Sequence, residues 1–435
     1  MNSIDEIRKE LLELPSGYIS IKTISNKKYY YLKYYDNGKQ ISKYIKNDEI
    51  KSLKEKLKRR KQLEKLIKEY DIHSSNLAML SNNAKNLTGS IMMGDTKVAT
   101  YQDGRLTFKN DSLCPLLIKR TNNINEFLKG RVIDTNRTNS RLLRKVLNIN
   151  TSNEEYISLY AHGAVITDNY WFRPKGSRLK YKDICFNSDY YSDLALKGEL
   201  AFYPKSPKHS PQLTAIGSFE KCWKMIDGEW WLYKKGTDEQ IFSELFCSLL
   251  ASELNIVTAI YEYDDGYIKT KNFANKYNFE PMLGLVGDDE SYNTIFNTLL
   301  DIDKDMADQY LLLSFFDCVI NNVDRHNENL GLMRDKKTGK IVSLAPNFDN
   351  NLALLGYDKK LNMQANKDGF IYLFIKFINT NDEAKIRFKK LKIKIINKDT
   401  INKCINKIPI AIKDIDITNY VLNRYNYLIN YKNKL

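Results

Sequence analysis

One stretch constrains the fold more than any other. Between Thr214 and Lys235 the residues follow a hairpin pattern around an Asp227-Gly228 turn. From Asp238 to Leu254 the period becomes helical, with Ile241, Leu245, Leu249 and Leu250 on one side. A hairpin that feeds directly into an amphipathic helix needs sheet and helix to share one core. A second hairpin pattern combines Lys97-Val-Ala-Thr-Tyr101, a turn at Asp103-Gly104, and Arg105 to Lys109. Asn139–Leu147, residues 305–320 and the tail 391–435 carry helical periods. These patterns predict an α+β fold.

The chain has 435 residues, of which 43% are hydrophobic and 28% charged, enough to bury a core in each of several domains. That excludes a disordered or fibrous chain. The net charge of +15 sits at the ends. Residues 1–70 hold 18 basic and 10 acidic side chains, residues 381–435 hold 13 and 5, and the body is nearly neutral. Six scattered cysteines without a C-x-x-C pair, and four histidines that do not cluster with them, predict neither a disulfide framework nor a structural zinc site. The start Met1-Asn-Ser-Ile-Asp-Glu lacks the basic and apolar segments of a signal peptide. The most apolar window, Leu311 to Ile320, is short and contains Asp317, so no membrane span is expected and the cytoplasm is the expected location.

The first 70 residues read as a separate module. Tyr18–Ile24, Lys28–Tyr35 and Gln40–Ile45 have strand character around an Asp36-Asn-Gly38 turn, and a long helix follows with Lys58-Arg-Arg-Lys61 as its densest basic run. A three-stranded sheet plus helix with this G-Y-I-S…Y-Y-Y-L…G-K-Q opening resembles the arm-type DNA-binding domain of integrases. Contact with nucleic acid is one reading of the module, and a protein-docking or spacer role is the other.

The chemistry concentrates further on. Val319-Ile-Asn-Asn-Val-Asp324-Arg-His-Asn-Glu-Asn329 lies between an apolar helix and a strand-like run, and Leu344-Ala-Pro-Asn-Phe-Asp349 follows it. Phosphoryl transfer needs a carboxylate near the acceptor hydroxyl and side-chain oxygens for the magnesium that neutralises the phosphates. Asp324, Asn329 and Asp349 have the spacing of those three groups in a kinase. Upstream, Ile216-Gly217-Ser218-Phe-Glu-Lys221 offers a loop whose backbone N–H groups could cover phosphates. Lys234 and Lys235 end the second strand, and Glu244 follows on a helix where it could hold the lysine.

This order of motifs resembles the HipA-like serine/threonine kinases, distant relatives of the phosphatidylinositol kinases. Ser243-Glu-Leu-Phe-Cys-Ser-Leu-Leu-Ala-Ser-Glu-Leu-Asn-Ile256 is similar to that family's N-E-Y-x-C-x-x-L-A-x-x-L-G helix. Asp324-Arg-His-Asn-Glu-Asn329 is similar to its D-x-H-x-x-N loop, and Leu344-Ala-Pro-Asn-Phe-Asp349 to its L-[TA]-P-x-[YF]-D run. The resemblance covers roughly residues 88–430 and implies a two-lobed, kinase-like fold using ATP and Mg²⁺. It implies Asp324 as catalytic base, His326 as the residue orienting that loop, and Asn329 and Asp349 as metal ligands. It assigns Gly217, Ser218, Lys221, Glu244 and Lys234 to nucleotide, with Lys235 as the competitor of Lys234. It further implies autophosphorylation on Ser218, with Thr214 second, and a small DNA-binding antitoxin as partner.

The domain boundaries expected on this reading are a module at 1–70, a linker at 71–87 and an N-terminal subdomain at 88–150. An N-lobe at 151–255 and a helical C-lobe at 256–435 complete them. Two alternatives stand beside a protein kinase: a lipid or small-molecule kinase, and a DNA-binding regulator whose kinase fold is inert. The acidic character of residues 238–330 favours a protein acceptor over a lipid head group.

Overall fold

The computed structural model describes residues 4–36, 39–81, 87–200, 209–217, 219–354, 361, 363–412 and 416–435. The chain divides into two units, Met1–Ala78 with Pro204–His209, and Met79–Tyr203 with Ser210–Leu435. Helix and sheet are mixed throughout, as the periodicities require.

In the first unit, strands β1 (Tyr18–Ile24), β2 (Lys27–Asp36) and β3 (Lys39–Ile45) form an antiparallel sheet with β2 in the centre. Leu32 and Ile45 pack with Leu57 of a long helix, Ile50–Ser81, flanked by Ile19, Tyr30 and Leu53. A short N-terminal helix, Ile4–Glu13, precedes the sheet. It is tied to the long helix by the bidentate pair Arg59–Glu10 and by Arg60, which donates to the carbonyls of Leu11 and Leu14. The long helix extends into the expected linker at 71–87. No Pro or Gly interrupts residues 50–81, so the helical hydrogen-bond ladder runs on to Ser81.

Among the described residues, the second unit contains three sheets. The first has the order β6 (Arg105–Phe108), β5 (Thr96–Gln102), β4 (Gly89–Met93), β7 (Tyr170–Pro174). Both faces of β4 are covered. Ile91 and Met93 join Val98 and Phe172 on one side, and Met92 joins Trp171 on the other. The aromatic block around Trp171 supplies an edge strand of this sheet, with the Trp171 indole donating to Gly94 O at 2.7 Å.

The second sheet has the order β10 (Tyr261–Asp264), β11 (Tyr267–Lys271), β9 (Glu229–Lys234), β8 (Lys221–Ile226), and the helix Asp238–Glu253 packs beside it. The Asp265-Gly266 turn makes residues 261–271 a hairpin, and its second strand pairs with β9. The third sheet, β12 (Tyr277–Pro281), β13 (Gly331–Asp335) and β14 (Ile341–Leu344), lies within the stretch expected to be helical. The remaining core is helical, from Tyr292–Ile302 and Lys304–Ile320 to Ile417–Lys434. A buried cluster joins the first sheet to the third. Arg334 pairs with Glu280, which accepts from the Tyr170 hydroxyl and from the Leu116 N–H, while Arg334 also donates to Cys114 O.

Candidate active site

Strand register decides which lysine enters the cavity. Lys234 pairs with Lys221 across β8 and β9, and Leu232 pairs with Trp223 two residues earlier, so these four side chains share one sheet face. Lys234 is buried, whereas Lys235 points to solvent and its N–H donates to Glu220 O. Three residues on, Thr237 and Gln240 form a reciprocal capping box that fixes the start of the next helix. From that start Glu244 falls on the buried side, and its Oε2 lies 3.3 Å from Lys234 Nζ.

Asp349 completes the cluster, with Oδ1 2.6 Å from Lys234 Nζ. Its backbone is left-handed, with φ +57°. The next N–H, of Asn350, donates to Glu244 Oε1 at 2.8 Å, so the turn is anchored to the helix. Burial opposes the charge on Lys234, but Asp349 and Glu244 outweigh it and hold its pKa well above the lysine norm. Burial likewise works against ionised Asp349, and Lys234 and Lys221 overcome it, keeping the carboxyl well below its ordinary range.

The loop that carries Asp324 begins where the helix Lys304–Ile320 ends at Asn321, a left-handed C-cap with φ 52°. Asn329 donates its amide N–H to Asp324 O at 3.1 Å and Oδ2 at 3.3 Å, leaving its amide oxygen for another partner. His326 is half-buried, lines the cavity, and accepts the Glu328 N–H at Nδ1. Burial, reinforced by the charge of Asp349, raises the Asp324 pKa.

Lys234, Asp349, Asp324, Asn329 and His326 line one cavity of about 400 Å³, and Glu244 lies buried behind Lys234. Its lining includes the apolar side chains Ile166, Trp223, Leu232, Phe273 and Phe348 and the polar groups Lys221, Lys234, Asp324, Asn329 and Asp349. Gly217, in the loop before β8, has φ +108°, and a Cβ there would collide with Lys221 Nζ. Burial pushes the Lys221 pKa down to about 8. Thr214 is buried at the end of a 3₁₀ turn and its hydroxyl donates to Pro211 O at 2.8 Å, which engages the second candidate for modification. Ser218, the first candidate, lies outside the described residues.

Two arginines escaped the motif reading. Arg325 grips Asp317 through Nε and Nη2 at 3.0 Å each, and donates to Asn329 O at 2.8 Å, Phe348 O at 2.9 Å and Asn347 Oδ1 at 2.6 Å. It therefore ties the Asp324 loop to the Asp349 turn. A signal for it was present in the sequence: a carboxylate at 317 inside the most apolar helix demands a buried cation. Arg137 is also buried, and its Nη1 donates to Ala215 O at 2.9 Å and Phe219 O at 3.4 Å, on either side of Gly217. No local pattern pairs residue 137 with 215.

A family model described as a domain of unknown function, DUF6788, matches residues 2–69. A comparison with curated proteins finds no match. Among solved structures, the chain is similar to the proinflammatory kinase CtkA of Helicobacter pylori, with TM-score 0.36 and 15% identity over 49% of this chain and 90% of that one. It is also similar to HipA of Shewanella oneidensis MR-1, solved with HipB and operator DNA. The TM-score there is 0.48, at 13% identity over 80% of this chain and 97% of that one.

Proposed function

We propose that this chain is an ATP- and magnesium-dependent phosphotransferase that places the γ-phosphoryl group on a serine or threonine hydroxyl of a protein. One observation carries the reading: Lys234, Glu244 and Asp349 meet in a single ion cluster on the cavity that Asp324 and Asn329 also line. The apolar part of the cavity lining suits a purine base, and Lys221 and Lys234 suit a triphosphate. Lys234 and Lys221 hold the phosphates, and the loop clasped by Arg137 covers them. The acceptor oxygen attacks the γ-phosphorus, the bond to the β–γ bridging oxygen breaks, ADP leaves, and the hydroxyl proton passes to the Asp324 carboxylate.

The donors fit magnesium. Asn329 and Asp349 offer oxygens alone, which suit a hard cation, and Asn329 spends its N–H groups on Asp324. Among the described residues no group of three or more His, Cys, Asp and Glu side chains forms a full metal cage, in keeping with an ion that shares its ligands with phosphate and water. When bound, the ion neutralises charge on the phosphates.

A protein acceptor is favoured over a lipid head group because residues 238–330 hold 18 acidic and 5 basic side chains. The resemblance to HipA-like kinases extends the proposal to self-phosphorylation at Ser218 and to a small DNA-binding antitoxin as partner. The test is incubation with γ-labelled ATP, magnesium and host lysate, followed by separate analysis of the protein and lipid fractions. Label on protein serine or threonine supports the reading, and label confined to lipid selects the alternative.

A further inference from the structure

The sheet of the first unit has two chemically different faces. Antiparallel register pairs Ile19 with Leu32 and Tyr30 with Ile45, and this face packs on the long helix. The same register puts Tyr18, Ser20, Lys22 and Ile24 of β1 on the opposite face. Lys27, Tyr29, Tyr31, Lys33 and Tyr35 of β2 join them, with Gln40, Ser42 and Tyr44 of β3. Those twelve positions hold five tyrosines and three lysines, and no carboxylate. Tyr18, Tyr35 and Tyr44 are 52%, 70% and 50% exposed, far more than packed rings. Tyr44 lies against Tyr29 and Tyr31 with ring centres 6.4 and 5.7 Å apart, and Lys22 Nζ sits 5.1 Å from the centre of Tyr31.

We propose that this tyrosine–lysine face of the β1–β3 sheet is a binding surface for single-stranded nucleic acid. Rings exposed on a rigid sheet stack on unpaired bases whatever their sequence, and lysines set between the rings neutralise the strand's phosphates. A face without acids leaves no like charge against the backbone of such a ligand. An apolar partner would leave the lysines buried and unpaired, and a duplex would hide its base faces from the rings.

The test uses the full chain and a fluorescein-labelled oligothymidylate, with a duplex of equal length beside it, read by anisotropy at low salt. The affinity for the single strand should exceed that for the duplex. Its log should fall with log salt at a slope of about −2, the value for three lysine–phosphate contacts on a single strand. Tyr18→Ala, Tyr35→Ala and Tyr44→Ala alter exposed rings, and each ring that stacks should weaken binding between about 5- and 150-fold. Lys22→Ala should reduce the salt slope by about 0.7. Circular dichroism confirms that each variant stays folded. Absence of single-strand binding, a preference for the duplex, or loss of binding in Lys58→Ala/Lys61→Ala on the long helix while all three tyrosine variants bind normally overturns the assignment.

Discussion

Lys234 and Asp349, 115 positions apart in the chain, meet as an ion pair with Nζ 2.6 Å from Oδ1. Glu244 lies on the other side of the same ammonium at 3.3 Å, so one cation serves two carboxylates. Lys234→Met leaves both acids without the cation they share. Breaking a buried pair this way costs about 3–5 kcal/mol. Asp349→Asn keeps the Lys234–Glu244 pair and should cost clearly less. Denaturant melts of the two variants check the order.

Asp349→Ala also removes a proposed magnesium ligand. Wild type should gain thermal stability from ATP with magnesium, and the variant should lose the magnesium-dependent part of that gain while remaining folded. An unchanged shift would take Asp349 out of the metal site.

Arg325 supports two loops at once, through Asn329 O and Phe348 O. Lysine cannot reproduce the forked grip on Asp317. Arg325→Lys should therefore lower both stability and phosphoryl transfer, with a larger fractional loss in transfer than in nucleotide affinity. Calorimetric ATP titration beside a transfer assay separates the two.

Lys221 sets a pH dependence. Its folded pKa of about 8 lies below the ordinary 10.5 because burial disfavours the ammonium. Between these values the unfolded chain binds more protons, so the nucleotide-free protein gains stability as pH rises through that window. Phosphate binding uses the charged form, so ATP affinity should decline as pH climbs from about 7 to about 9. Lys221→Met should bind ATP more weakly and flatten that profile. A thermal-shift series across pH measures both effects.

The sequence made the local parts of this molecule legible and left its long-range closures hidden. The helix Asp238–Glu253 was readable because its period and its Thr237–Gln240 cap are local. The Asp324, Asn329 and Asp349 motifs were readable because their spacings span only a loop and a hairpin. The choice between Lys234 and Lys235 was open, since it depends on which face of β9 turns inward, and pairing with β8 and β11 determines that. Trp171 resisted interpretation because its strand pairs with β4, some eighty residues earlier. Arg137 was invisible for the same reason: its partners are backbone carbonyls, which carry no residue signature.

Phosphoryl transfer from γ-labelled ATP by the purified chain, with and without host lysate, tests the central claim most directly. Wild type should label protein serine or threonine in the presence of magnesium. Asp324→Asn should transfer about 10²–10⁴-fold more slowly with ATP affinity nearly unchanged, as expected when a positioned base is removed and binding is not. Equal transfer by wild type and Asp324→Asn, or a wild type that binds ATP with magnesium yet labels no protein hydroxyl, contradicts the account.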